Sequence, residues 1–98
     1  METTFTFRNI EASDALKTHT QTKLEKLKKY LIKPTQAHVI FNVERFNHLV
    51  EVTLNANGIQ YISHEKSEDM YTSIDKAVAK LERQLRKYKE RLKEHKPQ

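Results

Sequence analysis

Phe5 and Phe7 alternate with Thr4, Thr6 and Arg8, the period of a strand with one buried face. From Ser13, a side chain suited to cap a helix, Leu16, Leu24, Leu27 and Leu31 recur on one side, with Thr20 among them, until Pro34 stops the pattern. This predicts helix one over about residues 13–32. The segment from Ala37 to Glu44 is rich in β-branched and aromatic residues, and Val50, Val52 and Leu54 alternate with Glu51, Thr53 and Asn55, which predicts strands two and three. Asn57-Gly58 is the dipeptide preferred in a two-residue hairpin turn, because both residues accept positive φ, and a fourth strand returns over Ile59 to Glu65. Ser67 or Asp69 then caps a second helix over about residues 69–95. Its apolar stripe is Ile74, Ala77, Val78, Leu81, Leu85, Tyr88 and Leu92.

The order β-α-β-β-β-α predicts an α+β fold: a two-layer sandwich with a four-stranded mixed sheet and both helices on one face. A crossover helix makes the first strand pair parallel, and the remaining pairs are antiparallel. Its 98 residues suit a single domain, residues 1–98, with no repeat or linker. Helix two, at about 1.5 Å per residue, is longer than the strands and overhangs the sheet.

Charge changes the picture more than size does. The net charge is +5, but it is segregated: Lys17 to Lys33 holds six basic residues and one acid, and Lys76 to Lys96 holds nine basic residues and three acids. The rest of the chain is net negative, a distribution that favours an oriented contact with a polyanion. On a helical wheel, Lys80, Arg83, Lys87 and Arg91 share a strip about 80° wide, well away from the apolar stripe. Lys23, Lys26 and Lys29 occupy a comparable arc on helix one, of about 120°. Arg86 and Lys89 fall beside the main strip. Seven such cations, each neutralising one phosphate, imply a log–log salt slope near −5 to −6.

Catalytic chemistry finds little support. Cysteine is absent and the five histidines are scattered without the paired spacing of a metal site. A single glycine leaves no phosphate-cradling loop, and no serine has a nucleophile-elbow context. The expectation is a non-enzyme without cofactor, metal or small-molecule substrate. The lack of a signal-like N-terminus, of a long apolar run and of cysteine points to a cytoplasmic protein with no membrane contact. Phe5, Phe7 and Phe41 read as core residues, and Tyr61, Tyr71 and Tyr88 as edge or core positions without an RNA-stacking cluster.

The run Glu68-Asp69-Met70-Tyr71-Thr72-Ser73-Ile74-Asp75, continuing through Lys80-Leu81-Glu82-Arg83-Gln84-Leu85-Arg86-Lys87, resembles the second-helix signature of ribosome hibernation-promoting factors and ribosome-associated inhibitors. Asn9-Ile10-Glu11, Ala15-Leu16, Lys23-Leu24-Glu25-Lys26-Leu27 and Thr53-Leu54 extend the similarity over nearly the whole chain. The resemblance implies the same β-α-β-β-β-α fold. It also implies binding to small-subunit ribosomal RNA in the channel that messenger RNA and the anticodon ends of transfer RNA occupy, blocking translation in stationary phase or stress. The family's RNA-facing positions correspond to Lys23, Lys26, Lys29, Lys80, Arg83, Lys87 and Arg91. Neither the acidic tail of the inhibitors nor the additional domain of long-form factors follows the helix. A natural short form would pair ribosomes with help from a partner protein, whereas the N-terminal domain of a long form would bind and block. Two alternatives stay open on charge alone: a regulatory module docking on an acidic protein, and a general double-stranded RNA binder.

Overall fold

The computed structural model describes residues 1–32 and 35–94, with backbone alone for 91–94. Its elements are β1 (Glu2–Arg8), α1 (Asp14–Glu25), a short 3-10 turn (Lys28–Tyr30), β2 (Gln36–Glu44), β3 (Asn47–Ala56), β4 (Ile59–Ser67) and α2 (Met70–Glu94). The strands lie in the order β1-β2-β3-β4; β1 runs parallel to β2, and the other two pairs are antiparallel. This is the predicted α+β sandwich with a mixed sheet.

One face of every strand supplies the core. Val39 and Phe41 from β2, and Val50, Val52 and Leu54 from β3, are buried against Leu16 and Leu24 of α1 and Ile74, Leu81 and Leu85 of α2. Each such side chain stabilises the fold by roughly 1.5–3 kcal/mol through burial. Phe5 and Phe7 stack on Phe41, with centroids 6.0 and 4.9 Å away, so the N-terminal aromatics are core residues at the open edge of the sheet. Two buried hydroxyls bind α2 to the sheet. Ser63 donates to the Ala77 carbonyl at 2.9 Å, and Ser73 donates to the His48 carbonyl at 2.6 Å. Both satisfy polar groups that burial would otherwise leave costly.

Helix one is shorter than the leucine spacing predicts. The α-helix closes at Glu25 rather than near residue 32, and Leu27, Tyr30 and Leu31 continue in i→i+3 bonds to Leu24, Leu27 and Lys28. The tightened segment is held from across the molecule. Asn57, in the β3–β4 turn, donates to the Tyr30 carbonyl at 3.1 Å and accepts from the Ile32 amide at 3.0 Å, capping the tightened end. The chain then enters β2 in register with the start of β1, Gln36 opposite Glu2. Leu27 stays buried through this change, so the apolar spacing is satisfied without a continuous helix. Asn57 and Gly58 have φ of 56° and 74°, the left-handed pair expected of that turn. The second helix matches its expected start to within a residue and is described as far as Glu94; residue 95 lies outside the described residues.

Candidate nucleic-acid interface

Burying both apolar stripes leaves the charged sides of the helices in solvent. On α2, Asp75 and Lys80 mark opposite flanks, about 140° apart at 100° per residue. Asp75 faces α1: its Oδ1 is 2.7 Å from His19 Nε2 and 3.7 Å from Lys23 Nζ. Lys80 faces β4, with its Nζ 2.6 Å from Glu65 Oε2. Arg83 therefore sits near the crest of the helix, and Lys87 lies on the Lys80 side.

The seven sequence-predicted cations fall into distinct situations. Lys23 and Lys80 are ion-paired, to Asp75 and Glu65. Lys26, Lys29, Arg83 and Lys87 are exposed, and none is ion-paired to a described residue. The side chain of Arg91 lies outside the described residues. Lys29 is carried by the 3-10 turn and not by α1, so its direction does not follow the helical wheel. The hydrogen bond from Lys80 holds the Glu65 carboxyl below its ordinary range against the opposing effect of desolvation, with the nearby Lys80, Lys76 and His64 charges adding to the lowering.

Cations of the two basic segments meet at Tyr30. The ammonium of Lys29, on the 3-10 turn, is 5.3 Å from the Tyr30 ring centroid, and that of Lys89, from α2, is 5.9 Å from the same centroid. The half-buried ring thus gathers two ammonium charges where the turn adjoins α2. Arg86 lies nearby: Tyr30 is the main influence raising its guanidinium further, with Glu82, 3.1 Å away, among the lesser ones. Arg86 and Lys89, which the helical wheel places beside the main strip, thus lie at a meeting point centred on Tyr30, a residue that the helical pattern does not mark. The only signal for it in the chain is a lone aromatic directly after Lys28-Lys29. The Lys80–Lys87 flank is separated from this meeting point by the crest of α2.

The resulting surface is chemically simple. Its exposed donors are mainly ammonium and guanidinium groups, which bind phosphate as point charges or forks. Among the described residues no helix is long and apolar enough to cross a membrane, and no group of three or more His, Asp or Glu side chains is placed to hold a metal ion.

Residues 3–93 match the family model described as Sigma 54 modulation protein / S30EA ribosomal protein. The chain is 36% identical over 95 residues to a ribosome hibernation promoting factor from Salmonella typhimurium, covering 97% of this chain and all of that one (100%). Among solved structures it is similar to the N-terminal domain of Thermus thermophilus Protein Y, with a TM-score of 0.85, 27% identity, and coverage of 90% of this chain and 99% of that one. A ribosomal subunit interface protein from Coxiella burnetii superposes with a TM-score of 0.78 at 30% identity, covering 91% and 98% of the respective chains. With a family match running nearly end to end and a relative above 30% identity over its full length, the chain belongs to the Sigma 54 modulation protein / S30EA ribosomal protein family.

Proposed function

We propose that this protein is a non-catalytic ribosome hibernation factor. In this reading it occupies the messenger and transfer RNA channel of the small ribosomal subunit during stationary phase or stress, holds ribosomal RNA through the cations of its two helices, and stops translation by occlusion. The observation that carries the reading is the state of Lys26, Lys29, Arg83 and Lys87: four exposed cations without an ion-pair partner among the described residues, Arg83 and Lys87 on α2 and Lys26 and Lys29 just beyond α1, in segments whose apolar side chains are already consumed by the core. The names of the relatives support the hibernation role, and the exposed charge supports RNA as the contact.

Recognition of this kind reads backbone charge and RNA shape, not base sequence. The ion pairs refine its magnitude. With Lys23 and Lys80 already engaged, four or five phosphates are neutralised at the outset, giving a log–log salt slope of about −3 to −4. The slope approaches the −5 to −6 expected of all seven cations only if phosphate displaces Asp75 and Glu65 as their partners.

Co-sedimentation of the chain with purified small subunits, across a potassium chloride series and with or without nuclease treatment, tests the proposal. Salt-sensitive association that nuclease abolishes is the expected result. Association that survives nuclease would point to an acidic protein partner, and association that is flat with salt would remove phosphate contact as the main binding term. Equal affinity for arbitrary RNA duplexes would point to general duplex binding. A cytoplasmic location follows from this function, as does a ribosome-pairing partner protein if the natural protein is a short form.

A further inference from the structure

Only three of the eighteen lysines and arginines lie outside the two basic segments: Arg8, Arg45 and Lys66. They are far apart in the chain, yet the sheet gathers them at one end. Arg8 is opposite Asn42, Asn42 opposite Leu49, and Leu49 opposite Lys66, in a single row across all four strands. Arg8 and Lys66 border one concavity, with Ile40 and Leu49 on its floor from the face away from the helices, and with the acids Glu51 and Glu65 and the Lys80 partner of Glu65 also lining it. Two residues beyond the row, β2 turns into β3 through Arg45 and Phe46, closed by the Glu44–Asn47 pair.

That turn is built against the preferences of the backbone. The β3–β4 hairpin also has a two-residue turn, and it uses Asn57-Gly58, the pair that accepts positive φ most readily. The β2–β3 hairpin instead places Arg45 at φ 54°, in the left-handed region that disfavours a long L side chain. Phe46 gains nothing from folding: it is 86% exposed, the most exposed large hydrophobic residue among those described. An ordinary stable turn would carry neither residue, so their presence calls for a contact outside the chain. The adjacent Glu44 carboxylate accepts from the Asn42 amide at 3.2 Å, which draws the nearest acid toward the sheet.

We propose that Phe46 stacks on an unpaired base of ribosomal RNA, with Arg45 meeting a flanking phosphate. A flat apolar ring beside a guanidinium fits a splayed-out nucleotide, whose base offers a π-face and whose backbone offers charge. The site is separate from Arg83 and Lys87, the exposed cations of α2. α2 starts at this end, just after β4, and runs away from it, so Arg83 and Lys87 lie toward the other end of the molecule. The inference rests on the small-subunit reading and adds a second anchor to it.

Two variants test the stacking contact: Phe46→Ala, and the double variant R45N/F46G, which installs the dipeptide used by the other hairpin. Affinity for purified small subunits, its salt slope, and chemical probing of unpaired nucleotides are measured beside thermal unfolding. Phe46→Ala should weaken binding by on the order of five- to a hundredfold, leave the salt slope unchanged, and expose a nucleotide protected by the unaltered chain. R45N/F46G should weaken binding at least as much while unfolding at the same or a higher temperature. Unchanged affinity in both variants would overturn the stacking contact and leave the small-subunit reading intact. Weaker binding with every nucleotide still protected would overturn it in favour of a protein contact. Failure of the unaltered chain to bind small subunits would overturn both.

Discussion

Lys80 Nζ lies 2.6 Å from Glu65 Oε2, so a cation selected for RNA contact is held by a carboxylate on the edge strand of the sheet. A partly exposed pair at the surface contributes little to stability, on the order of 1 kcal/mol. It is therefore readily exchanged for a phosphate. Glu65→Gln should tighten small-subunit binding and steepen the log–log salt slope by up to about one. Equilibrium binding at several salt concentrations checks this, and an affinity and a slope both unchanged would show that Lys80 meets no phosphate.

Arg83 and Lys87 are exposed and have no ion-pair partner among the described residues. Reversing both, R83E/K87E, should abolish detectable binding to small subunits at physiological salt. The thermal midpoint should stay nearly the same, because neither side chain supports the core. Sedimentation with subunits and a melting curve measure the two effects separately.

Leu81 is fully buried where α2 meets the sheet, at 0% exposure. Leu81→Ala should cost about 2–5 kcal/mol through the cavity it leaves, measurable by urea unfolding. Its subunit affinity should be preserved wherever the variant remains folded.

Asn57 supplies two hydrogen bonds to the end of the Tyr30 turn and occupies a left-handed backbone position. Asn57→Ala removes both bonds and adds backbone strain, for a loss of about 1–3 kcal/mol. Asn57→Gly relieves the strain without restoring the bonds and should fall between the two. If both variants unfold like the unaltered protein, the Asn57 cap does not stabilise the end of the Tyr30 turn.

Two carboxylates give stability a pH dependence of known sign. Asp69, at the start of α2, accepts from the Thr72 amide and hydroxyl, both at 3.0 Å, and lies below its ordinary 3.8. Glu65 lies below its ordinary 4.5 because of Lys80. Both folded-state pKa values are depressed, so their contribution is present above those ordinary values and is lost as pH falls through the lower, folded ones. The melting temperature should hardly respond to these groups near neutrality and should drop in acid below about pH 4.5. Asp69→Asn should make that acid drop shallower.

Much of this architecture is readable from local pattern. The alternation around Phe5 and Phe7, the Asn57-Gly58 turn and the long stripe from Ile74 to Leu85 each report a period or a turn geometry that nearby residues determine by themselves. Helix one shows where such reading stops. Its leucines satisfy a helical period, but the α-helix ends at Glu25, and the tightened segment that follows is capped by Asn57 from the β3–β4 turn, a partner that no local signal marks. The candidate interface divides in the same way. Exposure of Arg83 and Lys87 follows from helical phase, whereas the Lys80–Glu65 and Lys23–Asp75 pairs and the cations around Tyr30 depend on how separate elements are packed. Arg45 and Phe46 went unmarked because neither residue type suggests a two-residue turn.

Footprinting small-subunit RNA with the chain bound tests the central claim most directly, since it locates the contact and examines occlusion together. The account predicts protections lining the messenger and transfer RNA channel, reduced by R83E/K87E and competed by messenger RNA with bound transfer RNA. Protections confined to the outer surface of the subunit, or none under conditions where the chain co-sediments, would contradict it.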